Sequence, residues 1–147
     1  MALSRTATFQ NDLGVYYKLE VYDSLLPVAS SNTFQLGSNG FDLSYEAKDR
    51  SRFSGVIPSS VKFDIVPRDS SEETFIEDIA AADYGRFQLV ITKSTDDVTY
   101  DHYWAGNILT DVSARQNISF QGGAKATVTA TDGLAELVDV IVSNIIR

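Results

Sequence analysis

Apolar and polar residues alternate with a period of two through most of this chain, the spacing of strands that bury one face and wet the other. Phe41-Asp42-Leu43-Ser44-Tyr45-Glu46 puts Phe41, Leu43 and Tyr45 on one face, and Arg86-Phe87-Gln88-Leu89-Val90-Ile91-Thr92-Lys93 buries Phe87, Leu89 and Ile91. The same pattern predicts strands over 7–9 and 15–22 around a turn at Asn11-Asp12-Leu13-Gly14. A short strand over 33–36 is followed by a turn at Gly37-Ser38-Asn39-Gly40, and Val61, Phe63 and Ile65 alternate in a run bracketed by Pro58 and Pro67. Further on, Ser94-Thr95-Asp96-Asp97 turns into a strand over 98–109, residues 111–115 form a connection, and 118–120 and 124–130 are two more strands around Gln121-Gly122-Gly123.

Two segments change period. Ser70-Ser71-Glu72-Glu73 reads as a capping box, with Ser70 as the cap, ahead of Phe75, Ile76, Ile79 and Ala80 on one helical face. From Leu134, the positions Leu137, Val138, Ile141, Val142 and Ile145 follow a 3.6-residue stripe, and Thr131 or Asp132 caps this second helix. Val140 and Ile146 lie off the stripe and widen its apolar arc. Such a helix either docks on its own domain or meets a partner subunit or a continuation of the chain. Strands without strand–helix repetition predict one mainly β domain over 1–147, an antiparallel barrel or sandwich with two helices at about 71–83 and 132–147.

A chain of 147 residues can build its core without disulfides. The absence of cysteine removes thiolate zinc sites and cysteine nucleophiles. The first residues lack the apolar core of a signal peptide, and no run reaches the roughly eighteen apolar residues of a membrane span, so neither secretion nor membrane insertion is expected. With 12 Lys and Arg against 20 Asp and Glu, the net charge of −8 repels a phosphate backbone, and nucleic acid is not an expected partner.

Candidate chemistry is sparse. His102 is the single histidine, and its neighbour Asp101 points to the opposite face of a strand, which is a poor dyad. The carboxylates form no calcium-loop spacing. Gly122-Gly123 is a hairpin turn, with no helix after it to cradle phosphate. Asn117-Ile118-Ser119 matches a glycosylation acceptor, without a secretory signal to support its use. Trp104-Ala105-Gly106-Asn107 reads either as a small aromatic platform for a sugar or as core packing beside a bulge. No catalytic residue, cofactor or metal site is assigned, and the chain is not expected to be an enzyme.

An ordered series of motifs spans most of the chain: Phe41-x-Leu43-x-Tyr45-Glu46, Ile57-x-x-Ser60-x-x-Phe63, a helix, Phe87-x-Leu89-x-Ile91, Tyr103-Trp104-x-Gly106-x-Ile108-Leu109, and Ala130-Thr131-Asp132-Gly133-Leu134-x-x-Leu137. In this order they resemble the tail-tip and baseplate hub proteins of tailed bacteriophages. The resemblance implies a structural virion protein, made in the cytoplasm of a bacterial host, whose β-barrel domain forms a ring with copies of itself. The ring is usually trimeric, with a hexamer as the alternative, and joins the tail tube and distal tail proteins to the spike or tip. Hub chains often continue well past the last helix, so ending at Arg147 leaves open a short form, an N-terminal part or a split gene. On this reading Ile141, Val142, Ile145 and Ile146 are contact surface and Trp104 a packing anchor. An obligate ring interface buries more than about 2,000 Å², so sheet edges contribute as well. A carbohydrate- or receptor-binding module built on Trp104 and its neighbouring tyrosines is the alternative.

Overall fold

The computed structural model describes residues 2–45, 59–109, 113–114 and 125–132. In chain order these form β1 (Ala2–Gln10), β2 (Tyr16–Asp23), β3 (Leu36–Tyr45), β4 (Ser59–Ile65), α1 (Ser70–Ala81), β5 (Phe87–Ser94), β6 (Asp101–Ile108), β7 (Ser113–Ala114) and β8 (Ala126–Thr131). The strands make one antiparallel sheet in the order β1-β2-β5-β6-β8-β4-β3, with β7 paired to β8. Its two outer strands meet through the segment ahead of β3. The Thr6 N–H donates to the Asn32 carbonyl at 3.1 Å, and the Thr6 carbonyl accepts from the Phe34 N–H at 3.1 Å. The sheet is thereby nearly closed into a barrel, one of the two antiparallel architectures that the alternation predicts.

The interior is the inward row of each strand: Leu19 and Val21, Val61, Phe63 and Ile65, Phe87, Leu89 and Ile91, Trp104 and Ile108, and Ala126, Val128 and Ala130. Each fully buried large side chain contributes about 1.5–3 kcal/mol over its exposed state. α1 adds Phe75, Ile76 and Ile79 to this core.

Several local expectations change. Residues 37–40 do not turn the chain back. They lie inside β3, where between the pairs Leu36↔Ile65 and Phe41↔Phe63 the strand advances five residues against two on β4. Gly40 has φ of +66°, and a Cβ there would sit 2.6 Å from the Phe9 ring, so Gly40 serves a bulge packed under an aromatic. β1 begins at Ala2 rather than residue 7, because β2 supplies ladder partners from Ala2 onward, with Ser4 as an unpaired extra residue between Leu3 and Arg5, even though buried Arg5 interrupts the apolar alternation. The N-cap of α1 is Asp69, not Ser70: its carboxylate accepts from the Glu72 N–H at 3.0 Å. Glu72, not Glu73, is the acid three residues after the cap, and it accepts at 2.5 Å from the N–H of Arg68, the residue before the cap. A carboxylate is a stronger acceptor than a serine hydroxyl, which moves the cap one residue earlier. Ser113 and Ala114, expected in a connection, form a short strand against β8. β6 starts at Asp101 instead of residue 98, because the preceding turn is longer than the alternation implies. The expected strand over 118–120 and the body of the helix over 132–147 lie outside the described residues.

Candidate functional site

The large apolar side chains left exposed among the described residues are Leu13, Leu25, Val28, Tyr45, Tyr84, Val98 and Tyr103. The topology sorts them into two groups. Tyr16 pairs with Ser94, so the β1–β2 and β5–β6 hairpins point the same way and carry Leu13 and Val98 to one end of the barrel. Antiparallel steps across the whole sheet leave β3 running in the same sense as β1, which brings Tyr45 to that end too. At the opposite end, the loop after β2 carries Leu25 and Val28, and the turn between α1 and β5 carries Tyr84.

At the hairpin end, aromatic rings fill the mouth. Phe9 and Tyr17 stack with centroids 5.2 Å apart, Phe41 meets them edge-on at 5.6 and 5.3 Å, and Tyr103 packs against Tyr17 at 5.7 Å. The register shift between Ile91 and Thr92 leaves Tyr103 as the extra residue of β6, a bulge that places it beside inward-facing Trp104. The Lys93 ammonium lies 5.3 Å from the Tyr103 ring. Burial, and then the nearby Tyr17 and Tyr45 phenols, push the Tyr103 hydroxyl above its ordinary value. A cleft of about 350 Å³ opens beside this cluster between the hairpins, lined by Tyr17, Lys93, Asp96, Thr99 and Asp101 among others.

The exposed Val98 tip is held by its own turn. The Asp96 carboxylate accepts from the Thr99 and Val98 N–H groups, each at 2.9 Å, and from the Ser94 hydroxyl at 2.8 Å. Those donors, the two backbone groups foremost, hold its carboxyl down at about 2. Asp97 takes up φ of 58° and accepts from the Tyr100 hydroxyl, which pushes that phenol up to about 12. The Lys18 ammonium sits 4.1 Å from the Tyr100 ring.

At the helix end, Phe75 of α1 rests 6.0 Å from Phe34 and 6.2 Å, edge-on, from Phe87. Buried Glu72 pairs with the Arg68 guanidinium. Arg86 grips Asp23 with two parallel bonds of 3.0 Å from Nε and Nη2. Burial by itself would raise the Asp23 carboxyl, but the Arg86 fork and the Leu25 N–H outweigh it and hold the group below its ordinary value. A second cleft, of about 460 Å³, lies between α1, β1 and the loop after β2, with Arg5, Asp23, Ser71, Phe75, Asp78 and Arg86 in its wall.

Trp104 is enclosed, at 7% exposure, and its indole N–H donates to the Ser59 hydroxyl oxygen at 2.9 Å. Ser59 in turn donates its hydroxyl, at 2.5 Å, and its N–H, at 3.0 Å, to the Asp132 carboxylate. Trp104 is therefore part of the core, and its ring presents no open face to a sugar. Ile141, Val142, Ile145 and Ile146 lie outside the described residues. Asp101 and His102 are both exposed and sit opposite Lys93 and Thr92, and no hydrogen bond joins them among the described residues. No group of three or more His, Asp or Glu side chains that could hold a metal occurs among the described residues, and no helix there is long and apolar enough to cross a membrane.

The paired ends escape sequence reasoning, although part of the signal is legible: Leu13 and Val98 are apolar residues inside polar turns, where burial has no claim on them. That both turns reach the same end depends on β2 pairing with β5. Compared with protein-family models, curated proteins and solved structures, the chain matches none.

Proposed function

We propose that this chain is a non-enzymatic assembly module of a bacteriophage tail, a hub-like β-barrel of the virion. On this reading it forms a ring with copies of itself, three being favoured, and joins the tail tube and distal tail proteins to tip or spike proteins. The observation that supports the reading is that, among the described residues, the exposed large apolar side chains lie at the two ends of the barrel. An element that links a layer above to a layer below needs apolar contact surface at both ends, whereas a module that binds one small ligand needs one cleft. The hub-like motif series adds to this, since Phe41, Leu43, Phe63, Phe87, Leu89, Ile91, Trp104 and Ile108 all fall in consecutive strands.

Light scattering on the full chain across a concentration series tests the reading. A mass equal to a small multiple of the monomer is expected, with growth to larger species at high concentration as exposed ends meet. Replacing Leu13 and Val98 together by Glu is expected to stop that growth and leave the smaller ring intact. A strict monomer at every concentration would overturn self-assembly.

A further inference from the structure

We propose that the seam between β1 and β3 is a docking site for one short extended segment of another polypeptide, which adds as a strand and completes the barrel. β1 and β3 are the end strands of the sheet. Between them, residues 30–34 run along the free edge of β1. The Leu3 carbonyl accepts from the Ser30 N–H at 2.8 Å, and Thr6 bonds in parallel sense to Asn32 and Phe34, each at 3.1 Å. The chain then crosses to the other wall of the seam. The Gln35 carbonyl accepts from the Val66 N–H at 2.9 Å, and Leu36 pairs with Ile65 of β4.

The parallel ladder therefore stops short. Its next bonds would run from the Thr8 N–H to the Phe34 carbonyl and from the Leu36 N–H to the Thr8 carbonyl, and neither is made. Alternation along the strand still fixes where these groups point. Because Thr6 faces residues 32–34, Ala7 and Phe9 turn their N–H and C=O toward β2, and Thr8 and Gln10 turn theirs toward the seam. On the opposite wall Gln35 bonds toward β4, so Leu36 faces the seam as well. Among the described residues none of these seam-facing groups of Thr8, Gln10 and Leu36 has a backbone partner. A cleft of about 410 Å³ opens where the ladder stops, lined by Thr8, Phe9, Phe34, Leu36 and Arg68 among others.

Main-chain N–H and C=O groups on both walls of a cleft are complementary to a polypeptide strand, which carries the same groups on both of its edges. The cleft follows β1 from Thr6 to Phe9, about 10 Å at a rise of roughly 3.3 Å per residue, so it takes about three residues. Phe9, Phe34 and Leu36 give that strand an apolar side to lie against. Nothing blunts the β1 edge. From Thr6 to Gln10 it has no proline, no charged residue and no bulge, the devices that usually protect an edge strand. A second folded copy does not fit the seam: about three residues bury far less than the roughly 1,200 Å² that two folded bodies need, and two chains of net charge −8 repel one another. The same charge favours a segment that carries Lys or Arg on either side of the residues in the seam.

The test titrates the full chain with the end-capped peptide Lys-Thr-Val-Thr-Val-Thr-Lys and follows backbone N–H exchange by NMR. In the free protein the Thr8 and Leu36 N–H groups are expected to exchange about tenfold or more faster than those of Ala7 and Phe9, and saturating peptide is expected to remove that difference. A peptide N-methylated at both valines loses its donors toward one wall and is expected to bind about tenfold or more weakly, as is one with Glu in place of Lys. Thr8→Pro removes an N–H that faces the seam and none that faces β2, so the variant is expected to fold and to lose the peptide. If it does not fold, the N-methylated peptide reads the same bonds on the unaltered chain. Slow exchange at Thr8 and Leu36 without peptide would mean that the ladder closes by itself and would overturn the site. Equal binding of the N-methylated peptide would overturn it too, as would protection that rises with protein concentration alone, which would make a second copy the occupant. Binding of the peptide does not depend on the oligomer mass, so the site and the assembly reading fail separately.

Discussion

Replacing Gly106 by Ala is expected to destabilise the barrel by about 2 kcal/mol or more. Gly106 lies in β6 opposite Leu89, and a methyl group there would land on the backbone carbonyl of Thr131 and on the Trp104 ring. The backbone at Gly106 is not in the left-handed region, so in open space the change would stabilise by about 0.4–1 kcal/mol through the unfolded chain. Overpacking costs about 1–3 kcal/mol when side chains can yield, and more when the obstacle is main chain. Here it is the main chain of β8, which among the described residues β6 holds by two residue pairs, Asn107↔Thr131 and Ile108↔Ala130, and by the Leu109 N–H bond to the Thr129 carbonyl. Pushing the strands apart at Thr131 therefore strains the junction on which closure of the sheet depends. Urea denaturation should show the midpoint falling by about 1 M with an unchanged slope, taking a slope of about 2 kcal/mol/M. The Trp104→Phe background adds a control. It shrinks the ring but leaves the Thr131 carbonyl, so it should relieve only part of the cost of Gly106→Ala. A Gly106→Ala variant within about 0.5 kcal/mol of wild type would refute the reasoning. Full relief in Trp104→Phe would place the obstacle on the ring instead of the backbone.

Glu72→Gln keeps the side chain's shape but removes the charge that holds the Arg68 N–H and guanidinium. It is expected to cost about 1–3 kcal/mol in urea denaturation, and unchanged stability would show that the buried pair contributes nothing net. Acid should act through Asp23 and Asp96. Both carboxyls lie below their unfolded value of 3.8 in the fold, Asp96 at about 2. Their contribution is therefore whole above the unfolded value and is lost as the pH falls from there through the folded values. Urea midpoints measured between about pH 5 and pH 2 should fall less steeply in Arg86→Gln than in wild type, because that variant forgoes the Asp23 pairing at every pH. Identical slopes would refute the assignment for Asp23, and an Asp96 carboxyl titrating by NMR near 3.8 instead of about 2 would refute it for Asp96.

The alternation of Val61, Phe63 and Ile65, of Phe87, Leu89 and Ile91, and the helical spacing of Phe75, Ile76 and Ile79 were enough to name the buried faces, and with them a mainly β antiparallel fold. Burial of one face is a local requirement written into each segment, so it can be read without knowing what lies opposite. What the segment cannot carry is its partner. Gly37 to Gly40 look like a turn until the register of β4 makes them a bulge. Trp104 reads as a platform or as core packing until Ser59, 45 residues away in sequence, accepts its indole N–H in the interior. Leu13 and Val98 are two unrelated turns until the pairing of Tyr16 with Ser94 brings them to one end. Arg5 is one more cation in the sequence until the fold buries it between Thr33 and Ser71, 28 and 66 residues away. Pattern along the chain reports which atoms must leave water. Strand order and register decide which distant groups then meet, and the candidate surfaces of this protein are made of those meetings.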